Sequence, residues 1–188
     1  PKGIMTSHRN SAVSAMIQLM SWEWPKDVRH LVCAPLSHAG ASVLTSVLVL
    51  DGSMVVLPGF DPVGVMQAIE QHRITSVLMV PTMVLALIDH PRFGEFDLSS
   101  LEVIFYGASA FPAARLKDAI GKLGPIFFQF YGQAEAPMSI TVMRRDEHDV
   151  NDMQRLEQAR RNRRRAGRRL VAHGRCGGAF ARWFPADC

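Results

Sequence analysis

At 188 residues with 48% apolar side chains, the chain has the length and composition of one ordinary globular domain rather than of a disordered segment. Its apolar runs fall far short of the roughly 20 residues that span a bilayer, and no secretory leader pattern opens it. Cys33, Cys176 and Cys188 fit neither a disulfide framework nor a zinc site, so a reducing, cytoplasmic setting is expected. The net charge of +4 divides unevenly: residues 1–154 hold 11 Lys and Arg against 15 Asp and Glu, whereas residues 155–188 hold 10 Arg against Glu157 and Asp187. The basic character lies in a short tail, and no specific nucleic-acid binding by the body is expected.

Ala12, Val13, Met16, Ile17 and Met20 recur at helical spacing and predict a helix over 11–19 with Ser7 or Asn10 as its cap. Residues 30–34 form an apolar run stopped by Pro35, read as a buried strand. Residues 39–50 have helical length and end at the Asp51-Gly52 turn signal. A strand over 53–57 closes at Pro58-Gly59. Asp61-Pro62 then supplies the cap and first residue of a helix running to about Arg73, with Val65, Met66 and Ile69 inward. A strand over 76–80, a short helix over 82–89 and a strand over 102–106 follow. The last of these ends in Gly107-Ala108-Ser109. Residues 112–123 predict a helix with Leu116, Ile120 and Leu123 on one stripe, and 126–131 and 139–143 read as two further strands. Met16, Met20, Met79 and Met83 are assigned to core filling.

Strands of about five near-continuous apolar residues separated by helices predict an α/β fold with mostly parallel sheet and helices on both faces. Such sheets place ligands outside the carboxyl ends of their strands. Those ends are expected at 35–40, 81–82, 107–109 and 131–135. From about Glu157 the periodicity stops and Arg, Ala and Gly dominate. Two domain-level segments are therefore expected: a folded piece over 1–156, and an irregular basic tail over 157–188. The tail reads either as a binder of acidic partners or, preferably, as an out-of-frame terminus of a GC-rich gene.

The segment PKGIMTSHRN at 1–10, PLSHAG at 35–40, FYGASAFP at 105–112 and YGQAEAP at 131–137 occur in this order. Together they resemble the adenylate-forming superfamily, in the branch of fatty-acid and related acyl–CoA ligases. The resemblance covers residues 1 to about 156 and implies an incomplete piece of that family's large N-terminal domain. It implies ATP, Mg²⁺ and coenzyme A as cofactors and a carboxylic (fatty) acid as substrate. By the same resemblance Lys2 contacts phosphate, His38 gates the acyl pocket, and Glu135 is both catalytic and the Mg²⁺ ligand. Gly107, Ala108 and Ser109 edge the adenine, while Tyr131, Gly132 and Gln133 complete its binding strand end. The family's Thr before the acid is Ala134 here, and its ribose-binding Asp, hinge and mobile C-terminal domain lie beyond the matching segments.

These residue types suit the chemistry. A carboxylic acid is already ionised at neutral pH, so the first step needs no base; it needs an anion brought against a polyanion, through positioning and charge neutralisation. Plainer roles compete: Lys2 as a solvated residue, His38 as a loop-edge histidine, Tyr131 as a strand-end aromatic and Gly132 as a turn residue. The other histidines show no ligand spacing and are read as structural or solvated. Two further readings of the whole chain are a non-catalytic remnant that binds nucleotide or acyl ligand weakly, and a basic-tail interaction protein. A parallel sheet lacking neighbours also predicts self-association through exposed edges.

Overall fold

The computed structural model describes residues 3–152. Lys2 and the basic tail, with the readings attached to them, lie outside the described residues.

Six strands form one sheet in the order β2-β1-β3-β4-β5-β6. They are β1 (Arg29–Val32), β2 (Ser53–Val56), β3 (Ser76–Met79), β4 (Val103–Tyr106), β5 (Phe127–Gln133) and β6 (Ala136–Met143). The first five are parallel, with Leu31 opposite Val55 and Val77, Val77 opposite Ile104, and Phe105 opposite Phe128. β6 returns antiparallel along β5. The mostly parallel α/β fold is therefore as the apolar runs require: β3 and β4 are buried at every position, which only a sheet covered on both faces permits.

One face packs α3 (Pro62–His72), α4 (Pro81–Ile88) and α5 (Ala113–Leu123) over Leu31, Val77, Met79, Ile104, Tyr106 and Phe127. The other face carries Leu78, Val103, Phe105, Phe128 and Phe130 beneath Trp22, Val43 and Val47. It is covered by α1 (His8–Ser21) and α2 (Leu44–Val49). Trp22 lies 4.6 Å from Phe105 and 5.2 Å from Phe130 between ring centroids, and it closes the end of α1 onto the sheet.

Local signals set most boundaries. Asp61 accepts from Gly64 N at 2.7 Å and Pro62 opens α3; Arg73 ends that helix in a left-handed conformation, φ 49°. Ser7 caps α1 through Asn10 N at 3.2 Å. Three expectations need correction. The helix expected over 39–50 is a 3-10 turn (Ala39–Ala41) followed by the short α2, because Gly40 is drawn back onto Pro35 O at 3.1 Å. The apolar stripe of α1 is not the face it buries: Ala15 and Gln18 are inside, while Met16 is 55% and Met20 78% exposed. Met79 is buried and Met83 half-buried as core, so of these four methionines only the two near α4 act as filler. Finally, β5 runs two residues past its expected end because β6 pairs with it: Tyr131 lies opposite Thr141 and Gln133 opposite Ala136.

Candidate active site

The strand order reverses between β1 and β3: the chain moves outward from β1 to β2 and then crosses back to the opposite side of β1. In an open parallel sheet such a switch point leaves a crevice outside the carboxyl ends of the strands. From this edge emerge the loop after β1 with His38, Pro81 after β3, Gly107-Ala108-Ser109 after β4, and Tyr131-Gly132-Gln133 ending β5.

The β4 and β5 ends touch. A Cβ on Gly107 would stand 2.6 Å from Phe130 O and 2.6 Å from a ring carbon of Phe130, so only glycine allows the two strand ends to lie this close. The chain then turns sharply. Ala108 has φ 64°, and Ser109 N donates to Gly107 O at 2.8 Å. A positive-φ non-glycine residue inside a three-residue turn is strained, and this one exposes Ala108 and Ser109 at the sheet edge. Tyr106, just before it, is locked from the opposite face. Its hydroxyl lies 2.9 Å from His148 Nε2, while His148 Nδ1 lies 2.6 Å from Arg144 O. A carbonyl only accepts, so Nδ1–H donates to Arg144 O and Nε2 accepts from Tyr106. Burial lowers the pKa of His148 and raises that of the Tyr106 phenol, which keeps both neutral in this pair.

Tyr131 is half-buried and its hydroxyl accepts from Gln133 Nε2 at 2.8 Å. A Cβ on Gly132 would collide with the Met138 backbone and stand 2.7 Å from Ala136 O. The hairpin with β6 alone therefore accounts for this glycine, beside the ligand approach expected of it. Ala134 and Glu135 form the exposed two-residue hairpin tip. Among the described residues no group of three or more His, Cys, Asp or Glu side chains could hold a metal ion. The exposed Glu135 carboxylate fits a cation that takes one protein oxygen and fills its remaining positions with phosphate and water, as Mg²⁺ does.

His38 is exposed and precedes the 3-10 turn, with φ −130° and ψ −121°. Its ring nitrogen Nδ1 lies 3.3 Å from Ser37 Oγ, and its amide donates to Pro35 O at 3.0 Å. β3 separates its parent strand from β4, about 10 Å at ordinary strand spacing. The sheet therefore brings Gly107 against Phe130, next to 131–133, sets His38 two strands away along the same edge, and carries Glu135 outward on a hairpin. His30 is buried against Ser76 Oγ at 2.9 Å and stacks edge-on to Trp24; burial lowers its pKa to about 4. It is structural. Nothing in the sequence singles out Gln18 or pairs Tyr106 with His148; Gly40 and Tyr106 carry a signal only as members of the PLSHAG and FYGASAFP segments.

The AMP-binding enzyme family matches residues 1–168. Over 149 residues the chain is 50% identical to the medium/long-chain-fatty-acid–CoA ligase FadD8 of Mycobacterium tuberculosis, covering 79% of this chain and 26% of that one. The amide bond synthetase McbA of Marinactinospora thermotolerans has the same fold at TM-score 0.74 and 28% identity, over 83% of this chain and 31% of that one. The O-succinylbenzoate coenzyme A synthetase MenE of Bacillus subtilis, solved with ATP and magnesium, superposes at TM-score 0.66 and 26% identity, over 78% of this chain and 30% of that one. The chain thus spans under a third of the length of each of these proteins. It belongs to the AMP-binding enzyme family, the adenylate-forming enzymes.

Proposed function

We propose that the chain forms the nucleotide-side wall of the site in which an ATP-dependent ligase joins a medium- or long-chain fatty acid to coenzyme A. What supports this most is the contact between the Gly107–Ser109 turn and the end of β5, which places two of the four family-like segments side by side on the ligand-binding edge of the sheet. In the first half-reaction, a carboxylate oxygen forms a bond to the α-phosphorus of ATP and the bond to the β-phosphate oxygen breaks, releasing diphosphate. In the second, the coenzyme A thiol loses its proton, its sulfur bonds to the acyl carbon, and AMP leaves.

The residues have distinct parts in this scheme. Gly107, Ala108 and Ser109 border the adenine, the strained turn holding their backbone at the edge, and Tyr131 offers the base a face fixed by Gln133. Gly132 and Gln133 hold the hairpin. Glu135 is the carboxylate for Mg²⁺, whose charge neutralises phosphate as the acid approaches. Lys2 adds a point charge to the phosphates, and His38 stands at the entrance for the acyl chain. Ala134 supplies no hydroxyl, which removes a phosphate contact worth about 1–2 kcal/mol.

The chain by itself is expected to bind Mg·ATP without turning over, since it spans under a third of the length of the ligases it matches. Calorimetric titration with Mg·ATP, beside a diphosphate-release assay with ATP and fatty acids, tests this. The expected result is saturable binding weakened at least about tenfold, or 1.4 kcal/mol, by Glu135→Ala, with no diphosphate release. Equal affinity of the variant removes Glu135 from the site, and release abolished by Glu135→Ala shows that the chain is catalytically sufficient.

A further inference from the structure

The helix α1 buries a glutamine while leaving two methionines in water, an inversion that packing alone does not produce. Gln18 is 2% exposed. Its Nε2 donates to Ser42 O at 3.1 Å, and its Oε1 accepts from Ser46 Oγ at 2.7 Å, with Ser46 itself fully buried. The side chain therefore spans both ends of the junction between the 3-10 turn and α2. Its backbone is fixed as well: Gln18 O accepts from Trp22 N at 3.0 Å and from Trp24 Nε1 at 3.2 Å. Those two tryptophans are packed on Phe105.

From Ser42 the contacts continue without a gap to His38. Ser42 Oγ donates to Ala39 O at 2.5 Å, and Ser42 N donates to the same carbonyl at 3.2 Å. His38 N and Gly40 N both donate to Pro35 O, at 3.0 and 3.1 Å. The loop rests on the sheet through Gly40, whose Cβ, if present, would stand 2.9 Å from Pro35 O and 3.0 Å from Val32. On its outer side Leu36 and His38 are exposed. Apart from these turns, the polar tie that the described residues show between the 35–46 segment and the rest of the fold is the amide of Gln18.

We propose that Gln18 is a positioning residue for acyl recognition, holding the 35–43 loop, and with it His38, against α1 so that the fatty chain meets a preformed entrance. The acyl half of this inference rests on the function proposed above; the clamp itself does not. A buried amide with both ends satisfied has one low-energy placement, because displacing the loop strands a donor and an acceptor away from water. An apolar residue of similar size would keep the packing and lose the register.

Amide hydrogen exchange on wild type, Gln18→Leu and Ser46→Ala tests the clamp. In Gln18→Leu the His38, Gly40 and Ser42 amides are expected to exchange about tenfold faster, with Val77 and Ile104 within about twofold of wild type, as for local opening. Ser46→Ala, which removes one arm and keeps the second, is expected to give a smaller acceleration at the same amides. Unchanged loop exchange, or equal acceleration throughout β3 and β4, overturns the clamp. If Gln18→Leu does not fold, Ser46→Ala decides by the same criterion. Titration with octanoate and with Mg·ATP then tests the acyl role: Gln18→Leu is expected to weaken octanoate about tenfold and Mg·ATP less than twofold, a difference of about 1 kcal/mol or more in binding. Equal loss for both ligands overturns it. Absence of octanoate binding to wild type, with the clamp intact, fails the acyl reading alone.

Discussion

One glycine and two histidines carry testable consequences of their own. A methyl group at Gly107 meets Phe130 backbone and ring at 2.6 Å, and backbone cannot swing aside. Gly107→Ala is therefore expected to cost about 1–3 kcal/mol in urea denaturation, and a neutral result would mean that the β4 and β5 ends are not in contact. His30, with its pKa lowered to about 4, and the less strongly shifted His148 are both buried neutral. Each binds its proton more tightly in the unfolded chain, so the stability they lend is complete above about pH 6.5 and falls as the pH drops towards 4. For His30 alone the loss approaches about 3 kcal/mol. Urea midpoints at pH 7.5 and 5 measure it, and His30→Gln should flatten the difference. At this scale the sequence was readable where a close approach demands glycine, as at Gly107 against Phe130. It was silent on Gln18 and read His148 only as structural or solvated, because a glutamine in a helix and a histidine after a strand do not show their partners, 24 and 42 positions away.

Elements were legible in proportion to the strength of their punctuation. The Asp61-Pro62 start of α3 is seen in the structure as the cap itself, and Asp61→Ala is expected to cost about 1 kcal/mol by thermal or urea unfolding. On α1, where the reading relied on apolar periodicity alone, it failed. Ala12, Met16 and Met20 follow a helical period, yet α1 docks through Ala15 and Gln18, because the docking face is set by a polar partner rather than by hydrophobicity. Met16→Gln with Met20→Gln should consequently change stability by less than about 0.5 kcal/mol, whereas two core methionines would cost several times more. The end of β5 was misjudged for a related reason: Gly132 and Gln133 look like loop residues, and only the pairing of β6 keeps them in the sheet.

For the whole molecule, the mostly parallel α/β architecture followed from strand length and apolar continuity, which depend on local sequence. The strand order and the reversal between β1 and β3 were not readable, because they depend on which strands meet across long separations. One consequence is the exposed β2 edge and the apolar surface beside it, where Leu48, Val49 and Val56 are each more than half exposed. Unpaired edges and apolar patches invite association, so concentration-dependent oligomers are expected in light scattering; a monodisperse monomer at all concentrations would contradict this. Among the described residues no helix is long and apolar enough to cross a membrane.

The central claim is that the carboxyl edge of this sheet is a nucleotide-binding edge. Backbone amide NMR of the chain titrated with Mg·ATP tests it directly. The account predicts saturable shifts at residues 107–109 and 131–135, with the 135 region losing its response in Glu135→Ala. Shifts confined to other surfaces, or none at saturating Mg·ATP, would contradict it.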